Sequence, residues 1–220
     1  MKLSVIIPVY NEERSVAGLI ERVKAVPVAK EIIAVDDCSS DRTLEVLRGV
    51  PGIRVFTHPE NRGKGAGIRT GLRHTKGDIV LIQDADLEYD PDEYPRLLAP
   101  FADPAVDAVY GSRFRNPDNT WLLHSKLANC FLTFTTNALF GGRVTDMETC
   151  YKAIRRPLFQ DLDLTADRFE IEPEITAKLL RRRARIVEVP ISYRARTEGK
   201  KIGPKDGVMA CYFLAKWYLR

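Results

Sequence analysis

Short apolar runs alternate with helical segments through the first half of the chain, and this alternation limits the fold more than any other feature. The runs are rich in β-branched residues, which is typical of buried strands. They predict strands at 3–9, 31–35, 53–57, 78–83 and 105–110. Buried strands separated by helices indicate a mostly parallel, twisted sheet with helices on both faces. The sequence therefore predicts an α/β fold.

Polar residues follow these predicted strands at the point where each strand ends. Residues 36–37 (DD) follow the second strand, residues 84–86 (DAD) follow the fourth, and residues 111–113 (GSR) follow the fifth. In sheets of this kind, ligands bind beyond the carboxyl ends of the strands. Several strand ends with the same polar character therefore predict a ligand site at one edge of the sheet.

Asp84 and Asp86 are the strongest candidates for metal binding. Two carboxylates one residue apart, where a strand becomes a loop, can converge on one cation, and their hard oxygens suit Mg²⁺ or Mn²⁺. Glu88 can supply a third oxygen. Such a metal would bridge a substrate diphosphate and neutralise the charge of the leaving group. An isolated pair of this kind is more often a solvated acidic turn, but the other strand-end motifs favour the metal.

Two further segments have both a functional and a structural interpretation. Asp36 and Asp37 can accept hydrogen bonds from a nucleobase or a ribose, or they can form a turn that leads into a helix, and both interpretations have equal weight. Residues 63–67 (GKGAG) look like a phosphate loop with Lys64 as its charged residue, although they lack the order of a P-loop. The alternative is a flexible turn whose glycines allow helix packing.

Two apolar segments in the second half of the chain predict helices. Residues 121–140 place six residues along one helical face, namely Leu123, Leu127, Cys130, Phe131, Phe134 and Ala138. Residues 208–219 predict an aromatic helix with basic neighbours. We divide the chain into a main domain at 1–206 and an amphipathic helix at 207–220. Packing in the core and attachment to a membrane surface explain the two helices equally well.

Composition and charge narrow the class of protein. The 220 residues are 45% hydrophobic and 29% charged, which is typical of a globular domain. A net charge of +4 favours a phosphate-rich ligand or an anionic membrane surface and is too small to indicate nucleic acid. The cysteines form no C-x-x-C pair, so a zinc site is not expected. The N-terminal apolar run is too short for a signal peptide, and no run is long enough to cross a bilayer, so we expect a cytoplasmic protein.

Three blocks of residues resemble family 2 glycosyltransferases of the GT-A fold in their order and spacing. They are 4–12 (SVIIPVYNE), 35–43 (VDDCSSDRT) and 84–88 (DADLE). Three later blocks look like the dolichyl-phosphate mannosyltransferase branch of the polyprenyl-phosphate glycosyltransferases, and these are 111–113 (GSR), 187–191 (VEVPI) and 196–201 (RTEGKK). The resemblance covers nearly the whole chain. It implies an inverting transfer of a hexose from a nucleotide sugar to a polyprenyl or dolichyl phosphate.

The resemblance implies a donor site built from the first three blocks. The base and ribose would contact Pro8, Tyr10, Glu12, Val35 and Asp37. The ribose, diphosphate and metal would contact Asp84, Ala85 and Asp86, with Glu88 as a further metal ligand. Arg196 and Lys201 would close over the donor diphosphate.

On the acceptor side, the resemblance implies that Arg113 meets the acceptor phosphate, so that Arg113 and Asp86 become the catalytic residues. Ser125 and Glu148 are further candidates for acceptor binding. A phosphate monoester is largely dianionic at pH 7, since its second pKa is about 6, and it therefore needs no general base. Attack from the face opposite the nucleotide would invert the anomeric carbon.

Several residues depart from the mannosyltransferase pattern. Glu88 stands where Gln is usual, residues 148–152 (ETCYK) replace a Ser-Gly-Phe block, and Trp121 stands where an acceptor-binding Arg is expected. The loop before Lys201 is one residue short, so Lys200 is the alternative lysine. These differences leave the sugar and the base open, with GDP-mannose and UDP-glucose as the candidate donors.

Three other functions compete with transfer to a lipid phosphate. A hydroxyl acceptor would require a general base, for which Asp146 and Glu148 are candidates. A nucleotide-sugar-binding regulator without catalysis is disfavoured by the intact Asp84, Asp86 and Arg196. A nucleotidylyltransferase would need a phosphate loop near the N-terminus. A lipid acceptor implies a peripheral location on the cytoplasmic face of the membrane, and the sequence leaves the need for a separate membrane subunit open.

Overall fold

The computed structural model of the protein describes residues 1–120, 123–195 and 204–219. Its strands are β1 (Leu3–Val9), β2 (Lys30–Asp36), β3 (Arg54–Thr57), β4 (Ile79–Ile82), β5 (Ala108–Ser112), β6 (Lys152–Arg155) and β7 (Ile186–Pro190). Within the described ranges these strands form one seven-stranded sheet in the order β3-β2-β1-β4-β6-β5-β7. The pairs β1–β2, β1–β4, β2–β3 and β5–β7 are parallel, whereas β6 runs antiparallel to β4 and β5. The predicted mostly parallel sheet is confirmed.

Helices follow most of the strands. The α-helices are α1 (Val16–Ala25), α2 (Thr43–Gly49), α3 (Lys64–Arg73), α4 (Tyr94–Leu98), α5 (Leu123–Phe140), α6 (Arg156–Asp161), α7 (Ile171–Arg181) and α8 (Pro204–Tyr218). Two short 3₁₀ helices, Pro91–Glu93 and Ala99–Ala102, flank α4. The predicted α/β fold is therefore present, with an alternating first half and a more helical second half.

The helices that follow β1 and β3 pack closely on the sheet. The apolar residues that predict the first helix are all buried on α1, namely Val16, Leu19, Ile20 and Val23. A Cβ atom at Gly71 on α3 would lie 2.5 Å from Ile6 Cγ2 on β1. A larger residue at this position would displace Ile6 from a close-packed core. The glycines of 63–71 therefore serve helix packing, which is one of the two interpretations of this segment.

One strand prediction is displaced along the chain. The fifth strand, predicted at 105–110, is β5 at Ala108–Ser112. It extends further because β5 pairs with β7 as far as Ser112 and Pro190. Gly111 and Ser112 therefore lie inside the strand, and Arg113 is the residue that follows it.

The predicted apolar face of α5 points outward. We call Leu123, Leu127, Phe131 and Phe134 the α5 outer face, and Leu123 is 71% exposed while Phe134 is 72% exposed. The opposite face is buried and mostly polar, with Asn129, Leu132, Thr133 and Thr136. Packing in the core is therefore the wrong interpretation for the α5 outer face. Within the described ranges, no helix combines the length and the apolar character that crossing a bilayer requires.

One side of helix α8 packs against the rest of the protein. Ala210, Leu214 and Trp217 are buried, and Arg181 Nη1 on α7 donates to the carbonyl oxygen of Trp217 at 2.7 Å. Exposed apolar side chains cover other positions of the same helix and its end, namely Met209, Tyr212, Tyr218 and Leu219. Since α8 begins at Pro204, it starts before the predicted residue 208.

Candidate active site

The carboxyl ends of β1, β2 and β4 lie side by side because these strands are parallel neighbours. Hydrogen bonds join the loops that follow β1 and β2. Asn11 N donates to Ser39 Oγ at 2.9 Å, and Glu12 N donates to Thr43 Oγ1 at 2.8 Å. The loop after β4 begins next to them with Gln83 and Asp84. The predicted polar strand ends therefore form one edge, which we call the donor edge.

Asp37 fixes the turn that leads into α3. Its Oδ1 accepts a hydrogen bond from Arg62 N at 2.9 Å and lies 2.7 Å from His58 Nδ1, and its Oδ2 accepts from Gly63 N at 2.6 Å. On the other side of the ring, His58 Nε2 lies 2.9 Å from Thr70 Oγ1. The predicted local turn before a helix is made by Asp36, whose Oδ2 accepts from Ser39 N at 3.2 Å, whereas Asp37 binds N–H groups 25 and 26 residues further along the chain. Contact of these residues with a nucleobase stays a prediction.

Lys64 begins α3 and points to the end of β4. Its Nζ lies 2.7 Å from Asp84 Oδ1 and 2.9 Å from Glu172 Oε1 on α7. Burial alone would lower the pKa of Lys64, but the carboxylates of Asp84 and Glu172 raise this pKa well above its ordinary value. The ammonium group is therefore charged at neutral pH, and the donor edge contains a nearly buried cation.

The three predicted metal ligands are not gathered in one cluster. Asp84 pairs with Lys64, Asp86 Oδ1 accepts from Glu88 N at 3.2 Å, and Glu88 Oε2 accepts from Tyr193 Oη at 2.9 Å. Among the described residues, no group of three His, Cys, Asp or Glu side chains is placed to hold a metal ion. Asp84 and Asp86 nevertheless lie half-buried at one strand end. Mg²⁺ commonly binds one or two carboxylates and completes its coordination with substrate phosphates and water, so these two residues fit such a metal.

Arg113 follows β5 and is buried in an ion pair. Its Nε donates to Asp146 Oδ2 at 2.7 Å, and its Nη2 donates to Asp146 Oδ1 at 2.8 Å. The rings of Tyr89 and Tyr193 lie 6.0 Å and 5.1 Å from the guanidinium carbon. Burial alone would lower the pKa of Arg113, but Asp146 raises it, so the guanidinium group stays charged. Since Asp146 uses both oxygens in this pair, it is a poor candidate for a general base.

Glu148 lies close to this pair and has a different environment. Its buried Oε1 has no hydrogen-bond partner in the described part of the chain. Burial raises the pKa of Glu148 to about 7, with Lys152 opposing the increase and Glu172 adding to it. The carboxyl group of Glu148 therefore changes its protonation state close to neutral pH.

The loop at 145–150 is held from two sides. Glu188 Oε1 on β7 accepts from Thr145 N at 2.7 Å and from Asp146 N at 3.2 Å. Lys152 Nζ on β6 donates to the carbonyl oxygens of Met147 and Thr149 at 2.8 Å and 2.5 Å. These contacts fix the backbone that carries Asp146 and Glu148, so this side of the site is rigid.

A sequence profile decides the family of this chain. The profile described as "Glycosyl transferase family 2" matches residues 4–163, which is most of the chain. The chain belongs to glycosyl transferase family 2. The matched segment contains the donor edge, Arg113 and Glu148, so the family assignment covers the geometry described above.

Curated relatives of this glycosyltransferase carry a more specific name. The undecaprenyl-phosphate 4-deoxy-4-formamido-L-arabinose transferase of Edwardsiella ictaluri (strain 93-146) is 34% identical over 94% of this chain and 63% of the relative. The enzyme of the same name from Proteus mirabilis (strain HI4320) is 33% identical over 90% of this chain and 61% of the relative. This chain therefore spans less than two thirds of the length of these relatives. The predicted resemblance to polyprenyl-phosphate glycosyltransferases is confirmed.

Solved structures of similar fold support the architecture. Glucosyl-3-phosphoglycerate synthase from Mycobacterium tuberculosis, in complex with Mn²⁺, UDP and phosphoglyceric acid, superposes with a TM-score of 0.78 and 21% identity over 99% of this chain and 78% of that structure. Mannosyl-3-phosphoglycerate synthase from Rubrobacter xylanophilus gives a TM-score of 0.74 and 21% identity over 100% and 73%. The predicted GT-A fold of this glycosyltransferase is confirmed.

The other predicted site residues have varied positions in this family 2 glycosyltransferase. Pro8 and Val35 lie within strands, Tyr10 and Glu12 are half-buried after β1, Ala85 is buried after β4, and Ser125 is half-buried on α5. Trp121, Arg196, Lys200 and Lys201 lie outside the described residues.

Three residues that organise the site have no role in the sequence analysis. Lys152 and Glu188 lie inside the conspicuous blocks 148–152 and 187–191, so a signal for them was present. Glu172 has a weaker signal, which is an acidic residue between Ile171 and Ile175 on the buried face of a helix.

Proposed function

We propose that this glycosyltransferase moves a sugar from a nucleotide sugar to a polyprenyl phosphate and inverts the anomeric carbon. The observation that carries the proposal is the placement of Asp84, Asp86 and the charged Lys64 at the donor edge. An edge of this kind suits a diphosphate. The names of the curated relatives, which specify undecaprenyl phosphate, support the acceptor. The candidate sugars are the hexoses of GDP-mannose and UDP-glucose, and the names of the relatives add 4-deoxy-4-formamido-L-arabinose.

We assign Mg²⁺ or Mn²⁺ to Asp84 and Asp86 in the working enzyme. The metal would neutralise charge on the departing nucleotide diphosphate. Support comes from structures of similar fold, which contain Mn²⁺ or Mg²⁺ together with UDP. The proposed contacts to base and ribose are Pro8, Tyr10, Glu12, Val35 and Asp37, and those to the diphosphate include Ala85, Arg196 and Lys201.

The acceptor phosphate would approach the side formed by Arg113 and the loop at 145–150. A dianionic phosphate attacks without a general base, so the protein has to position it and balance its charge. Asp146 and the two tyrosine rings hold the guanidinium group of Arg113 in one orientation. Such a fixed cation orients an anion without the cost of ordering a mobile side chain.

Transfer to a hydroxyl acceptor is the second candidate, and Glu148 favours it. A hydroxyl group needs a base, and a carboxyl group with a pKa of about 7 and a buried oxygen without a partner in the described residues has the properties of one. The structures of similar fold include glucosyl-3-phosphoglycerate synthase in complex with Mn²⁺, UDP and phosphoglyceric acid, which is not a lipid.

We also propose that the protein binds a membrane surface peripherally, on the cytoplasmic face. The exposed apolar side chains of α5 and α8 provide the contact, because a helix with one apolar side lies in the headgroup region. The segment 123–140 contains Lys126 and no acidic residue, which suits anionic lipid. The helix α8, which covers most of the segment 207–220, then serves as an attachment helix, and a separate membrane subunit becomes necessary only if these helices do not bind.

A radiolabel-transfer assay tests the proposed reaction. The full chain is incubated with polyprenyl phosphate in vesicles and with labelled GDP-mannose, UDP-glucose or the nucleotide-linked formamido-arabinose. We expect one donor to label the lipid fraction, EDTA to abolish transfer, and Mn²⁺ or Mg²⁺ to restore it. Asp86→Asn should lower the rate by about a hundredfold or more, because charge on the leaving group is no longer balanced.

The control for this assay is Asp161→Asn, which changes a carboxylate whose side chain is 82% exposed and should leave the rate unchanged. Full transfer after rigorous chelation would contradict the metal assignment. Label that enters only water-soluble products would contradict the lipid acceptor and favour the hydroxyl acceptor.

A further inference from the structure

Lys64 pairs with the carboxylate of Asp84, which the proposed metal also needs. Its Nζ lies 2.7 Å from Asp84 Oδ1 and 2.9 Å from Glu172 Oε1, and 13% of its side chain is exposed. Asp84 is one of the two residues assigned to the metal. An ammonium group and a divalent cation repel each other strongly at such distances in a partly buried site. The ammonium group and the metal therefore compete for Asp84.

The ammonium group of Lys64 lies between two carboxylates, those of Asp84 and Glu172. Lys152 differs, because it donates to the carbonyl oxygens of Met147 and Thr149 and also pairs with Glu172 Oε2. Lys152 is thus held by directed bonds to two carbonyl oxygens, whereas Lys64 lies within ion-pair distance of two carboxylates.

We propose that Lys64 is the counter-ion of Asp84 while the donor site is empty, and that Glu172 keeps the ammonium group of Lys64 in the site when the donor arrives. This inference rests on the proposed metal assignment. A cation binds Asp84 only when Lys64 leaves this carboxylate. The donor diphosphate is the anion that the released ammonium group meets. Metal and donor therefore bind cooperatively, since each favours the arrangement that the other requires.

The first test measures Mn²⁺ binding to the donor-free protein by titration calorimetry, with no acceptor present. Lys64→Met removes the competing charge and leaves Asp84 in place. We expect Mn²⁺ to bind this variant about tenfold more tightly, or better, because removal of one nearby positive charge has an effect of at least this size. Lys64→Gln is a second charge-removing variant and should behave in the same way.

Two variants serve as controls: one keeps the positive charge at residue 64, and the other removes a lysine far from the donor edge. Lys64→Arg keeps the positive charge, so its Mn²⁺ affinity should stay close to that of the wild type. Lys24→Met removes a lysine that is also ion-paired, since Lys24 Nζ lies 2.8 Å from Glu21 Oε1 on α1, away from the donor edge. Its Mn²⁺ affinity should be unchanged.

The second test titrates the same proteins with UDP and GDP, with and without saturating Mn²⁺. We expect Lys64→Met to bind the nucleotide diphosphate more weakly than the wild type when Mn²⁺ is present, because the released ammonium group is missing. The factor by which Mn²⁺ improves nucleotide binding should therefore be smaller in Lys64→Met and Lys64→Gln than in Lys64→Arg.

Equal or weaker Mn²⁺ binding in both charge-removing variants would overturn the proposal. Failure of Mn²⁺ to bind any of these proteins, with or without UDP or GDP, would also overturn it, since the proposal requires Mn²⁺ at Asp84. Circular dichroism confirms that each variant is folded before it is titrated. These measurements use no lipid, so they fail or succeed independently of transfer to polyprenyl phosphate.

Discussion

Carboxylates in the predicted site already have partners within the protein. Asp37 binds His58 and two backbone N–H groups, and Asp84 lies next to Lys64. Asp146 holds Arg113 with both of its oxygens. Such pairing reduces the cost of keeping charges away from water. Under the proposed function, binding of an anionic donor and a metal at this edge would be an exchange of partners, and single charge-removing substitutions should reveal it.

The protonation of Glu148 distinguishes the two acceptor classes. A base has to lose its proton before it acts, so transfer to a hydroxyl group should increase as the pH rises through the pKa of about 7. Transfer to a phosphate should increase instead through about pH 6, where the acceptor becomes dianionic. We expect the wild type to follow the phosphate profile and Glu148→Gln to keep the same inflection.

The measurement for Glu148 is a pH–rate profile of kcat/KM from pH 5 to 8.5 for wild type, Glu148→Gln and Glu148→Asp. An inflection near 7 that disappears in Glu148→Gln and persists in Glu148→Asp would identify Glu148 as a base. That result would replace the lipid phosphate with a hydroxyl acceptor.

At the scale of secondary structure, the sequence predicted which residues share a helix face better than it predicted whether that face is buried or exposed. The spacing of Leu123, Leu127, Phe131 and Phe134 correctly places them on one face, but helical periodicity does not say which face the protein covers. The buried face of α5 is set by polar contacts that are not local. Thr133 Oγ1 accepts from Met147 N at 3.1 Å, and Asn129 Nδ2 donates to Asp146 Oδ1 at 3.2 Å. These contacts explain why the polar side of α5 faces the loop at 145–150.

The α5 outer face should be necessary for membrane binding. We expect the full chain to float with anionic liposomes at low salt and to be partly released at high salt. Phe131→Ser with Phe134→Ser should reduce the bound fraction about tenfold or more, because each exposed phenylalanine contributes up to about 1.5–3 kcal/mol when it leaves water.

The matched control for membrane binding is Phe131→Leu with Phe134→Leu, which keeps the apolar surface and should float like the wild type. Nucleotide binding should be the same in both double variants. Equal flotation of the serine and leucine variants would exclude the α5 outer face and leave α8 or a separate subunit as the attachment.

For the whole molecule, the sequence predicted the parallel half of the sheet because its strands contain short runs of apolar and β-branched residues, although β3 (RVFT) also contains Arg54. The sequence also predicts a strand at 150–154, and β6 lies at Lys152–Arg155, but the local pattern does not show that β6 lies antiparallel between β4 and β5. Its position depends on partners that are distant in sequence. Glu172, the partner of Lys152, is 20 residues away along the chain, and local patterns do not report such pairs. The edge that carries the site was therefore predictable, whereas the charged interior behind it was not.

This charged interior should matter for stability. Lys152 is 0% exposed and pairs with Glu172, which also lies 2.9 Å from Lys64. Lys152→Met should lower the free energy of unfolding by about 3 kcal/mol, near the lower end for a broken buried pair, because Lys64 still balances part of the charge of Glu172. It also leaves the carbonyl oxygens of Met147 and Thr149 without this donor. Urea unfolding at pH 7, followed by circular dichroism, measures the change.

A double variant separates the charge from the packing in this interior. Lys152→Met with Glu172→Gln removes both charges, so it should be less destabilised than Lys152→Met alone, since no buried carboxylate is left with an incomplete partner. Lys76→Met is the surface control, because Lys76 is exposed, and it should change the free energy of unfolding by no more than about 0.5 kcal/mol. If the double variant is as unstable as the sum of the two single variants, the carbonyl contacts of Lys152, rather than its pairing with Glu172, hold the loop at 145–150. In that case the rigidity of the acceptor side has its origin in β6 alone, and Glu172 is left with Lys64 as its functional partner.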